Sequence, residues 1–304
     1  MMRIFITGGA GFIGTHLCKK LLELNHDVTV YDNFSNSSKD NFLSTIKQKI
    51  TLISGDILDD SKLVTGMKDH DIVIHLAAQI SVSDSIKNPK FTFDINVNGT
   101  QNVLDACLKN GITKIIATST AAVYQNTSTK TILDETSPVD PLSPYGESKL
   151  KMENKIITFC SVHNIDTSIL RLFNVYGIGQ SLEYAGVITK FYEKLQNNSP
   201  LVIFGDGTAV RDFVHVDDVI NSIILSISYS SSFTYNIASG TSTSIYDLAK
   251  TMIALSHKDL KILNKPSRTG EIMFSAADIS LAEKNLGFIP KISLISGLEQ
   301  FMSK

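Results

Sequence analysis

Three glycines spaced three residues apart decide the fold in the stretch Ile6-Thr7-Gly8-Gly9-Ala10-Gly11-Phe12-Ile13-Gly14. The stretch follows a run of β-branched and aromatic residues and opens a segment with helical spacing, so the glycines lie between a predicted strand and a predicted helix. Without side chains, such a turn lets the backbone approach a pyrophosphate, whose charge meets free N–H groups and the positive end of the helix dipole. The pattern predicts a dinucleotide-binding loop, and a tight turn without a ligand is the alternative.

Short strand-like runs alternate with helical segments in the residues around this loop. The predicted strands are Ile4–Thr7, Asp27–Tyr31, Thr51–Ser54, Ile72–His75, Lys114–Ala117 and Thr167–Leu170, and the main predicted helices are Phe12–Leu24, Phe91–Lys109 and Tyr145–His163. Such alternation predicts an α/β fold with a doubly wound parallel (Rossmann) sheet. After Asn174 the pattern changes to glycine-punctuated loops. We therefore predict a dinucleotide-binding domain over residues 1–173 and a smaller α/β substrate-binding domain over residues 174–304, with part of residues 212–238 packing back on the first domain.

The composition of the 304-residue chain fits a globular protein and excludes several classes. Hydrophobic residues make up 43% of the chain, which is enough to fill a core, and 28 Lys plus Arg nearly balance 30 Asp plus Glu. We expect no nucleic-acid partner, because no basic surface is indicated, and no membrane partner, because no apolar run reaches about 18 residues. The seven histidines and three cysteines (Cys18, Cys107 and Cys160) lack metal-site spacing. We therefore expect a cytoplasmic protein without a metal, with buried cysteines and with histidines in the core or in solvent.

Asp32 follows Gly14 by eighteen residues and ends the second predicted strand. A carboxylate at this position accepts hydrogen bonds from ribose hydroxyls and repels a 2′-phosphate, which favours NAD over NADP. The alternative is that Asp32 only caps the turn formed by Asn33-Phe34-Ser35-Asn36-Ser37. Asp56-Ile57, directly after the third predicted strand, is placed to reach the adenine or to cap the helix that begins near Asp59.

Tyr145 and Lys149 lie four residues apart at the start of a predicted helix and therefore on one of its faces. Thr120 lies at a predicted strand end, and open parallel sheets bind ligands at the carboxyl ends of their strands. A phenol of pKa ~10 needs about 4 kcal/mol to ionise near neutral pH, and one cation about 5 Å away supplies roughly 3 kcal/mol at an effective dielectric constant of about 20. We predict that Tyr145 is a general base, that Lys149 and a positive nicotinamide ring lower its pKa, and that Thr120 orients a substrate hydroxyl. A solvated helix face is the alternative.

With these motifs the chain resembles the extended short-chain dehydrogenases/reductases, in particular the NAD-dependent nucleotide-sugar epimerase/dehydratase group, in which the UDP-glucose 4-epimerases are most similar. The similarity extends almost from end to end. It is carried by Gly8–Gly14, Asp32-Asn33, Asp56-Ile57, His75–Ala78, Asn96–Thr100, Ser119-Thr120, Tyr145–Lys149, Arg171–Gly177, Gly205–Gly207, Arg211–Phe213 and Arg268–Glu271.

The resemblance implies NAD as the cofactor, a UDP-sugar as the substrate and a homodimer as the assembly. The cofactor-binding residues that it implies are Gly8, Gly11, Phe12, Ile13, Gly14, Asp32, Asn33, Ser35, Asn36, Ser37, Asp56, Ile57, Leu76, Ala77, Ala78, Asn96, Tyr145, Lys149 and Phe173. The substrate-binding residues that it implies are Thr120, Tyr145, Asn174, Val187, Arg211, Arg268, Glu271 and Ser275. Residues 174–304 would then bind the nucleotide sugar, and the helices from Phe91 and from Tyr145 would pair across the two-fold axis.

The activity that the resemblance implies is inversion of carbon 4 of a UDP-hexose, glucose or galactose, through a transient 4-keto sugar. Dehydratases carry an Asp-Glu pair after the threonine, whereas this chain has Ala121-Ala122, which disfavours dehydration. Ser275 stands where a bulky residue would exclude an N-acetyl group, so we also expect activity on UDP-N-acetylhexosamines. The alternatives are another NAD-dependent nucleotide-sugar enzyme, namely a reductase, dehydrogenase or decarboxylase, or a non-catalytic NAD-binding regulator.

Overall fold

The structure is a computed structural model that describes residues 1–46, 49–126, 130–180, 186–230, 232–267 and 272–303. Within these residues the strands are β1 (Arg3–Thr7), β2 (Asp27–Asp32), β3 (Thr51–Ser54), β4 (Ile72–His75), β5 (Lys114–Thr120), β6 (Ile132–Leu133), β7 (Asp166–Leu172), β8 (Asn174–Tyr176), β9 (Leu201–Phe204), β10 (Val210–His215), β11 (Phe233–Ile237), β12 (Ser242–Ser244), β13 (Ile262–Lys265) and β14 (Phe274–Ala277).

The α-helices of the same residues are α1 (Phe12–Glu23), α2 (Lys39–Thr45), α3 (Asp60–Gly66), α4 (Val82–Lys87), α5 (Pro89–Phe93), α6 (Thr100–Lys109), α7 (Pro144–His163), α8 (Val187–Gln196), α9 (Val216–Ser228), α10 (Ile245–Leu255), α11 (Ser280–Leu286) and α12 (Leu294–Met302). A π-helical segment, Asp94–Gly99, joins α5 to α6, and a 3₁₀ turn, Ala121–Val123, follows β5. No helix among the described residues is long and apolar enough to cross a bilayer.

The largest sheet has seven strands in the order β11-β7-β5-β4-β1-β2-β3. The pairs from β3 through β2, β1 and β4 to β5 all run parallel. Since β1 lies between β2 and β4, the strand order reverses at β1, and ligands of such sheets bind in the crevice at this point. The predicted doubly wound α/β fold is confirmed, and all six predicted strands are present.

Capping residues explain where α7 begins. Ser143 accepts a hydrogen bond from the backbone nitrogen of Gly146 at 3.1 Å, and Pro144 occupies the first turn. Both features favour a helix start at this point. The single helix predicted over Phe91–Lys109 is wrong in one respect, because Asp94–Gly99 is π-helical and divides it.

The chain forms two compact units, each made of separate stretches of sequence. Unit 1 comprises Met1–Val123, Pro141–Arg171 and Ile220–Tyr235, and unit 2 comprises Tyr124–Asp140, Leu172–Val219 and Asn236–Lys304. The division into dinucleotide-binding residues 1–173 and nucleotide-sugar-binding residues 174–304 stays a prediction, since it concerns what each part binds.

The core of unit 1 joins the seven-stranded sheet to α3, α6 and α7. Its strands are continuous apolar runs, as expected where helices cover both faces of a parallel sheet. Cys18, Cys107 and Cys160 are free and buried, as predicted. The largest members of this core are Phe5, Tyr31, Leu63, Met67, Leu104, Met152, Ile156 and Ile169.

Unit 2 is built on short strands. One sheet has the order β12-β10-β14-β6, with β8 also paired to β10, and β9 pairs with β13. Helices α8, α10 and α12 supply apolar side chains to its core. The largest members of this core are Tyr176, Phe191, Leu195, Phe213, Leu248, Met252, Leu298 and Phe301.

Candidate active site

The glycine-rich loop after β1 has no room for side chains at two of its positions. Gly8 has a φ of +71°, and a Cβ there would lie 2.6 Å from the backbone nitrogen of Ala77. A Cβ on Gly14 would lie 2.6 Å from the carbonyl oxygen of Gly8. Gly11 is the N-cap residue of α1, and the cap has no side-chain hydrogen bond. A Cβ on Gly11 would meet only the carbonyl oxygen of Gly8, at 3.3 Å. The amino end of α1 is thus open to an anion, which fits the pyrophosphate of NAD.

Asp32 lies at the end of β2 and caps the turn that follows it, which is the alternative to ribose binding. Its Oδ2 accepts a hydrogen bond from Ala10 N at 2.9 Å, and its Oδ1 accepts one from Phe34 N at 2.8 Å. Burial raises the pKa of Asp32, and these two bonds act in the opposite direction. A carboxylate offers about four lone-pair positions, so two remain for ribose hydroxyls. The geometry fits both roles at once.

The turn after β2 is tied to the segment after β3. Asn33 Nδ2 donates to Asp56 Oδ2 at 2.9 Å, and Tyr31 Oη donates to the Asp56 carbonyl at 2.8 Å. The cap of α3 is Asp59, whose carboxylate accepts from Lys62 N at 3.0 Å, so Asp56 does not serve as that cap. Two further predicted groups lie in this region: Ile57 is buried, and Ser35, Asn36 and Ser37 form the bend that leads to α2.

Asn96 lies in the π-helical segment and its side chain is occupied by other parts of unit 1. Its Oδ1 accepts from Gln79 N at 2.8 Å, while its Nδ2 donates to Gln79 O at 3.0 Å and to Ser148 Oγ at 2.9 Å. Both N–H groups of the amide are therefore used within the protein. The predicted neighbours Leu76, Ala77 and Ala78 are half-buried in the segment that follows β4.

Two serines that sequence reasoning missed hold the backbone of Tyr145. Ser148 Oγ donates to the Tyr145 carbonyl at 2.7 Å, and Tyr145 N donates to Ser85 Oγ at 3.1 Å. Ser148 lies inside the Tyr145–Lys149 motif, so its position was available as a signal. Ser85 comes from α4 and had no sequence signal, because only the fold brings it to α7.

Tyr145 and Thr120 come together as the sequence predicts, since the Thr120 hydroxyl lies near enough to the phenol to influence its pKa. Burial raises the pKa of Tyr145 above its ordinary value, and the nearby Thr120 hydroxyl opposes this only in part. Removal of the ring from water penalises the phenolate. The lowered pKa is expected with a positive nicotinamide ring beside the phenol, so it stays a prediction for the enzyme with its cofactor bound.

Lys149 lies one helical turn after Tyr145 and is buried. Its Nζ donates to Thr118 O at 2.7 Å and lies 3.1 Å from Met152 Sδ. Burial lowers the pKa of Lys149 to about 8, and the charge of Glu153 acts in the opposite direction. The ammonium is therefore still the main form at neutral pH.

Glu153 forms a buried ion pair that sequence reasoning missed. Its Oε2 lies 2.7 Å from Arg171 Nη2, and Arg171 Nε contacts both carboxylate oxygens at 3.1 and 3.2 Å. Glu153 is one helical turn after Lys149 on α7, and Arg171 comes from β7. The spacing of Lys149 and Glu153 was a usable signal, whereas the pairing with Arg171 needed the fold.

Apart from Thr120 and Tyr145 of unit 1, the predicted substrate residues that the structure describes belong to unit 2. Asn174 Nδ2 donates to Asp212 O at 3.1 Å, and Arg211 Nη1 donates to Val210 O at 2.8 Å. Asn174 lies on β8, next to β10, and Ser275 of β14 lies opposite Arg211 in register, so these three residues lie on neighbouring strands.

Of the other predicted substrate residues, Val187 is the first residue of α8, whereas Arg268 and Glu271 lie outside the described residues. Phe173, predicted to contact the cofactor, lies between β7 and β8 and packs against Tyr124 with ring centroids 6.4 Å apart.

Comparisons with known proteins agree with this geometry. The family model described as the NAD dependent epimerase/dehydratase family matches residues 4–238. A protein of Methanocaldococcus jannaschii named "Putative UDP-glucose 4-epimerase" is 40% identical, over 99% of this chain and 97% of its own. The crystal structure of a UDP-glucose 4-epimerase from Thermotoga maritima with UDP-glucose has a TM-score of 0.94 at 33% identity and covers 99% of this chain and 98% of its own. A UDP-N-acetylglucosamine 4-epimerase from Methanobrevibacter ruminantium with UDP-N-acetylmuramic acid has a TM-score of 0.93 at 32% identity, with 99% and 97% covered.

Proposed function

Because this chain belongs to the NAD-dependent epimerase/dehydratase family, we propose that it is a UDP-sugar 4-epimerase that inverts carbon 4 of a UDP-hexose. The observation that carries the proposal is the arrangement of Thr120, Tyr145 and Lys149 in unit 1. Thr120 ends β5, and its hydroxyl lies close to the phenol of Tyr145. The two groups are therefore at the carboxyl ends of the parallel strands, where β1 also leads into the glycine-rich loop. An acid-base group next to a dinucleotide loop supports oxidation and reduction at a carbinol carbon.

NAD fits the residues of unit 1. The open amino end of α1 at Gly11 would hold its pyrophosphate, and the free lone pairs of Asp32 would hold ribose hydroxyls. When bound, oxidised NAD supplies a hydride acceptor and a positive charge. The absence of side chains at Gly8 and Gly14 makes the close approach of backbone and phosphate sterically possible.

The chain's own residues handle the proton. Tyr145 takes the proton from the hydroxyl on carbon 4 and returns it once the configuration has been inverted, and Thr120 holds that hydroxyl in line with the phenol. The ammonium of Lys149 stabilises the phenolate, whose formation burial opposes. Because the hydride that leaves carbon 4 returns to the same carbon within the cycle, as the proton returns to its oxygen, the overall reaction is redox-neutral. Ala121-Ala122, after Thr120, provide no acid-base pair for dehydration.

The nucleotide sugar is assigned to residues of unit 2. Arginine pairs with phosphate through charge-assisted bonds, which suits Arg211 and Arg268 to the diphosphate, while Glu271 suits ribose hydroxyls. Asn174 and Val187 complete the set by family resemblance. Ser275 leaves room for an N-acetyl group, and we assign UDP-N-acetylglucosamine as a second substrate; the similarity to a UDP-N-acetylglucosamine 4-epimerase supports this assignment.

We propose that the enzyme forms homodimers and that it is located in the cytoplasm. Helices α4 to α7 expose apolar side chains, among them Ile86 at 63% and Val162 at 68%, which a second copy of the chain would cover. Three buried, unpaired cysteines are typical of proteins in a reducing compartment.

The deciding experiment incubates the purified protein with single UDP-sugars and separates the products by anion exchange. UDP-glucose, UDP-galactose, UDP-N-acetylglucosamine and UDP-glucuronate form the panel. We expect interconversion of the first two without any change in NADH absorbance. Net NADH formation would indicate a dehydrogenase, and loss of carbon dioxide from UDP-glucuronate would indicate a decarboxylase. If one of these two reactions occurs and no epimerisation is detected, the proposal is overturned.

A further inference from the structure

A histidine that the proposed reaction does not use lies beside the candidate cofactor site. His75 is the last residue of β4 and is 2% exposed. Its Nδ1 lies 2.7 Å from Thr7 Oγ1, and its Nε2 lies 2.9 Å from Thr100 Oγ1. Burial lowers the pKa of His75 to about 3, and the charge of Lys149 acts in the same direction. The imidazole is therefore neutral at physiological pH.

The surrounding bonds fix which ring nitrogen carries the hydrogen. Thr100 Oγ1 donates its single hydrogen to Asn96 O at 2.7 Å, so toward His75 it can only accept. The Nε2 of His75 must then be the donor, and in a neutral imidazole Nδ1 is the acceptor. Thr7 Oγ1 donates to this Nδ1 and itself accepts from Ala77 N at 3.4 Å. All donors in the chain thus point the same way, from Ala77 N to Asn96 O.

This directed chain joins three of the segments of unit 1 that carry predicted cofactor contacts. Thr7 directly precedes Gly8, His75 precedes Leu76–Ala78, and Thr100 follows the π-helical segment that contains Asn96. Gly8 packs so closely on Ala77 that a Cβ would lie 2.6 Å from its nitrogen. A shift of the His75 imidazole would therefore displace Ala77, on which the glycine-rich loop packs.

We propose that His75 is a positioning residue, held as the neutral Nε2–H tautomer, that locks the glycine-rich loop, the Leu76–Ala78 segment and the Asn96 turn into the geometry that binds NAD. The inference rests on the proposed function, because it concerns the affinity for the cofactor. It assigns His75 no contact with the reacting atoms.

A second histidine separates this role from ordinary packing. His70 Nε2 lies 2.8 Å from Thr29 Oγ1, and its ring packs edge-on against Phe5 with centroids 5.2 Å apart. It precedes β4, at the end of the strand opposite His75. Thr29→Val and Thr100→Val therefore each remove one hydroxyl from a His–Thr pair, but only Thr100 borders the candidate cofactor site.

The first measurement is ¹⁵N NMR of imidazole-labelled protein, with the His75 signals assigned by their absence from His75→Gln. We expect the coupling pattern of a neutral ring protonated at Nε2, unchanged when the pH is lowered from about 8 to about 5.5. An Nδ1–H tautomer or an imidazolium would overturn the proposal.

The second measurement is the dissociation constant of NAD for the two matched variants. We expect Thr100→Val to raise the dissociation constant of NAD about tenfold or more, and Thr100→Ser to restore most of the affinity. Thr29→Val should lower Tm about as much as Thr100→Val does and leave the dissociation constant unchanged. Equal NAD affinities for Thr100→Val and Thr29→Val would overturn the positioning role.

These outcomes are distinguishable from a failure of the proposed function. Wild-type protein that binds NAD but converts no UDP-sugar would contradict the epimerase and leave the affinity test of His75 valid. Wild-type protein without affinity for NAD would contradict both the cofactor assignment and this positioning role, whatever tautomer the NMR spectrum shows.

Discussion

Tyr145 carries the proton transfer in the proposed reaction, so loss of its phenol oxygen should matter most. Tyr145→Phe removes that oxygen and keeps the ring. We expect kcat for UDP-galactose to fall by about 10²–10⁴-fold, the usual contribution of a general base, with UDP binding unchanged in calorimetric titrations. Tyr246→Phe, at an exposed tyrosine of α10, is the control. A Tyr145→Phe enzyme as fast as this control would contradict the assigned base.

Lys149 links activity to stability. Its pKa is about 8 in the folded protein, whereas the ordinary value for lysine, which applies to the unfolded chain, is 10.5. Between these values the unfolded chain binds more protons, so the free energy of unfolding rises with pH across this window, by up to about 3 kcal/mol. We expect Lys149→Met to lose most of its activity and also to lose this rise. Denaturant unfolding of both proteins between pH 8 and 10.5 measures it, and parallel curves would contradict the buried ammonium.

Ser275 is the residue assigned to the choice between sugars. It is buried on β14, opposite Arg211 of β10. A tyrosine at this position would fill the space reserved for an N-acetyl group, so we expect Ser275→Tyr to lower kcat/KM for UDP-N-acetylglucosamine at least tenfold, a loss of about 1.4 kcal/mol of transition-state binding. Turnover of UDP-glucose in the same preparation reports whether the variant folds. Equal losses for both sugars would contradict the assigned role.

The sequence predicts which residues form the catalytic group better than it predicts their electrostatics. A four-residue spacing on a helix puts Tyr145 and Lys149 on one face whatever the rest of the chain does. Their pKa values depend instead on burial, which arises from packing far away in sequence. The Glu153–Arg171 pair shows the same limit, since its partners come from α7 and β7 and meet only in the folded sheet.

Gly14 and Gly11 of the glycine-rich loop differ in how much space a side chain would have. A Cβ on Gly14 would collide with backbone atoms of Gly8 and Gly9 at 2.6 Å, whereas one on Gly11 would meet only Gly8 O at 3.3 Å. We expect Gly14→Ala to lower the free energy of unfolding by about 1–3 kcal/mol through overpacking. Gly11→Ala should fold nearly as stably and bind NAD about tenfold more weakly, a loss of about 1.4 kcal/mol. Denaturant titration and NAD titration separate the two effects.

Gly186 provides the control for this element. It caps α8 with φ −65° and ψ 179°, close to the −71° and 179° of Gly11, and neither cap has a side-chain hydrogen bond. Gly186→Ala adds a Cβ that meets no atom within 4 Å. We expect its NAD affinity to equal that of wild type. If Gly11→Ala also binds NAD normally, the loop does not hold the pyrophosphate.

The π-helical segment Asp94–Gly99 marks where sequence patterns fail at the scale of an element. Its apolar spacing continues the helical pattern of α5 and α6, so a single helix was the natural prediction. The inserted turn carries Asn96, whose amide joins Gln79 to Ser148. Such turns are frequent at functional sites. The bonds of Asn96 join parts of unit 1 that are far apart in sequence, so no local pattern encodes them.

At the scale of the molecule, the two compact units interleave in sequence. Residues 220–235 belong to unit 1, although unit 2 has already begun at Tyr124. Alternation of strands and helices predicts six of the seven strands of the large sheet, because each right-handed crossover is local; β11 was not predicted. Contacts between segments far apart in sequence decide which unit a later strand joins. The sequence alone therefore does not predict the unit to which residues 220–235 belong.

The exposed apolar side chains of α4 to α7 lead to a prediction about assembly. A stable dimer buries roughly 800 Å² on each partner, and Ile157 on α7 is 45% exposed. We expect wild-type protein to elute with twice the mass of the 33.3 kDa chain and Ile157→Asp to shift toward the monomer, because a carboxylate opposite its symmetry copy is repelled and desolvated. Ile295→Asp, at an isoleucine 57% exposed on α12, should leave the mass unchanged. Light scattering coupled to gel filtration measures all three, and a monomeric wild type would show that these helices face solvent.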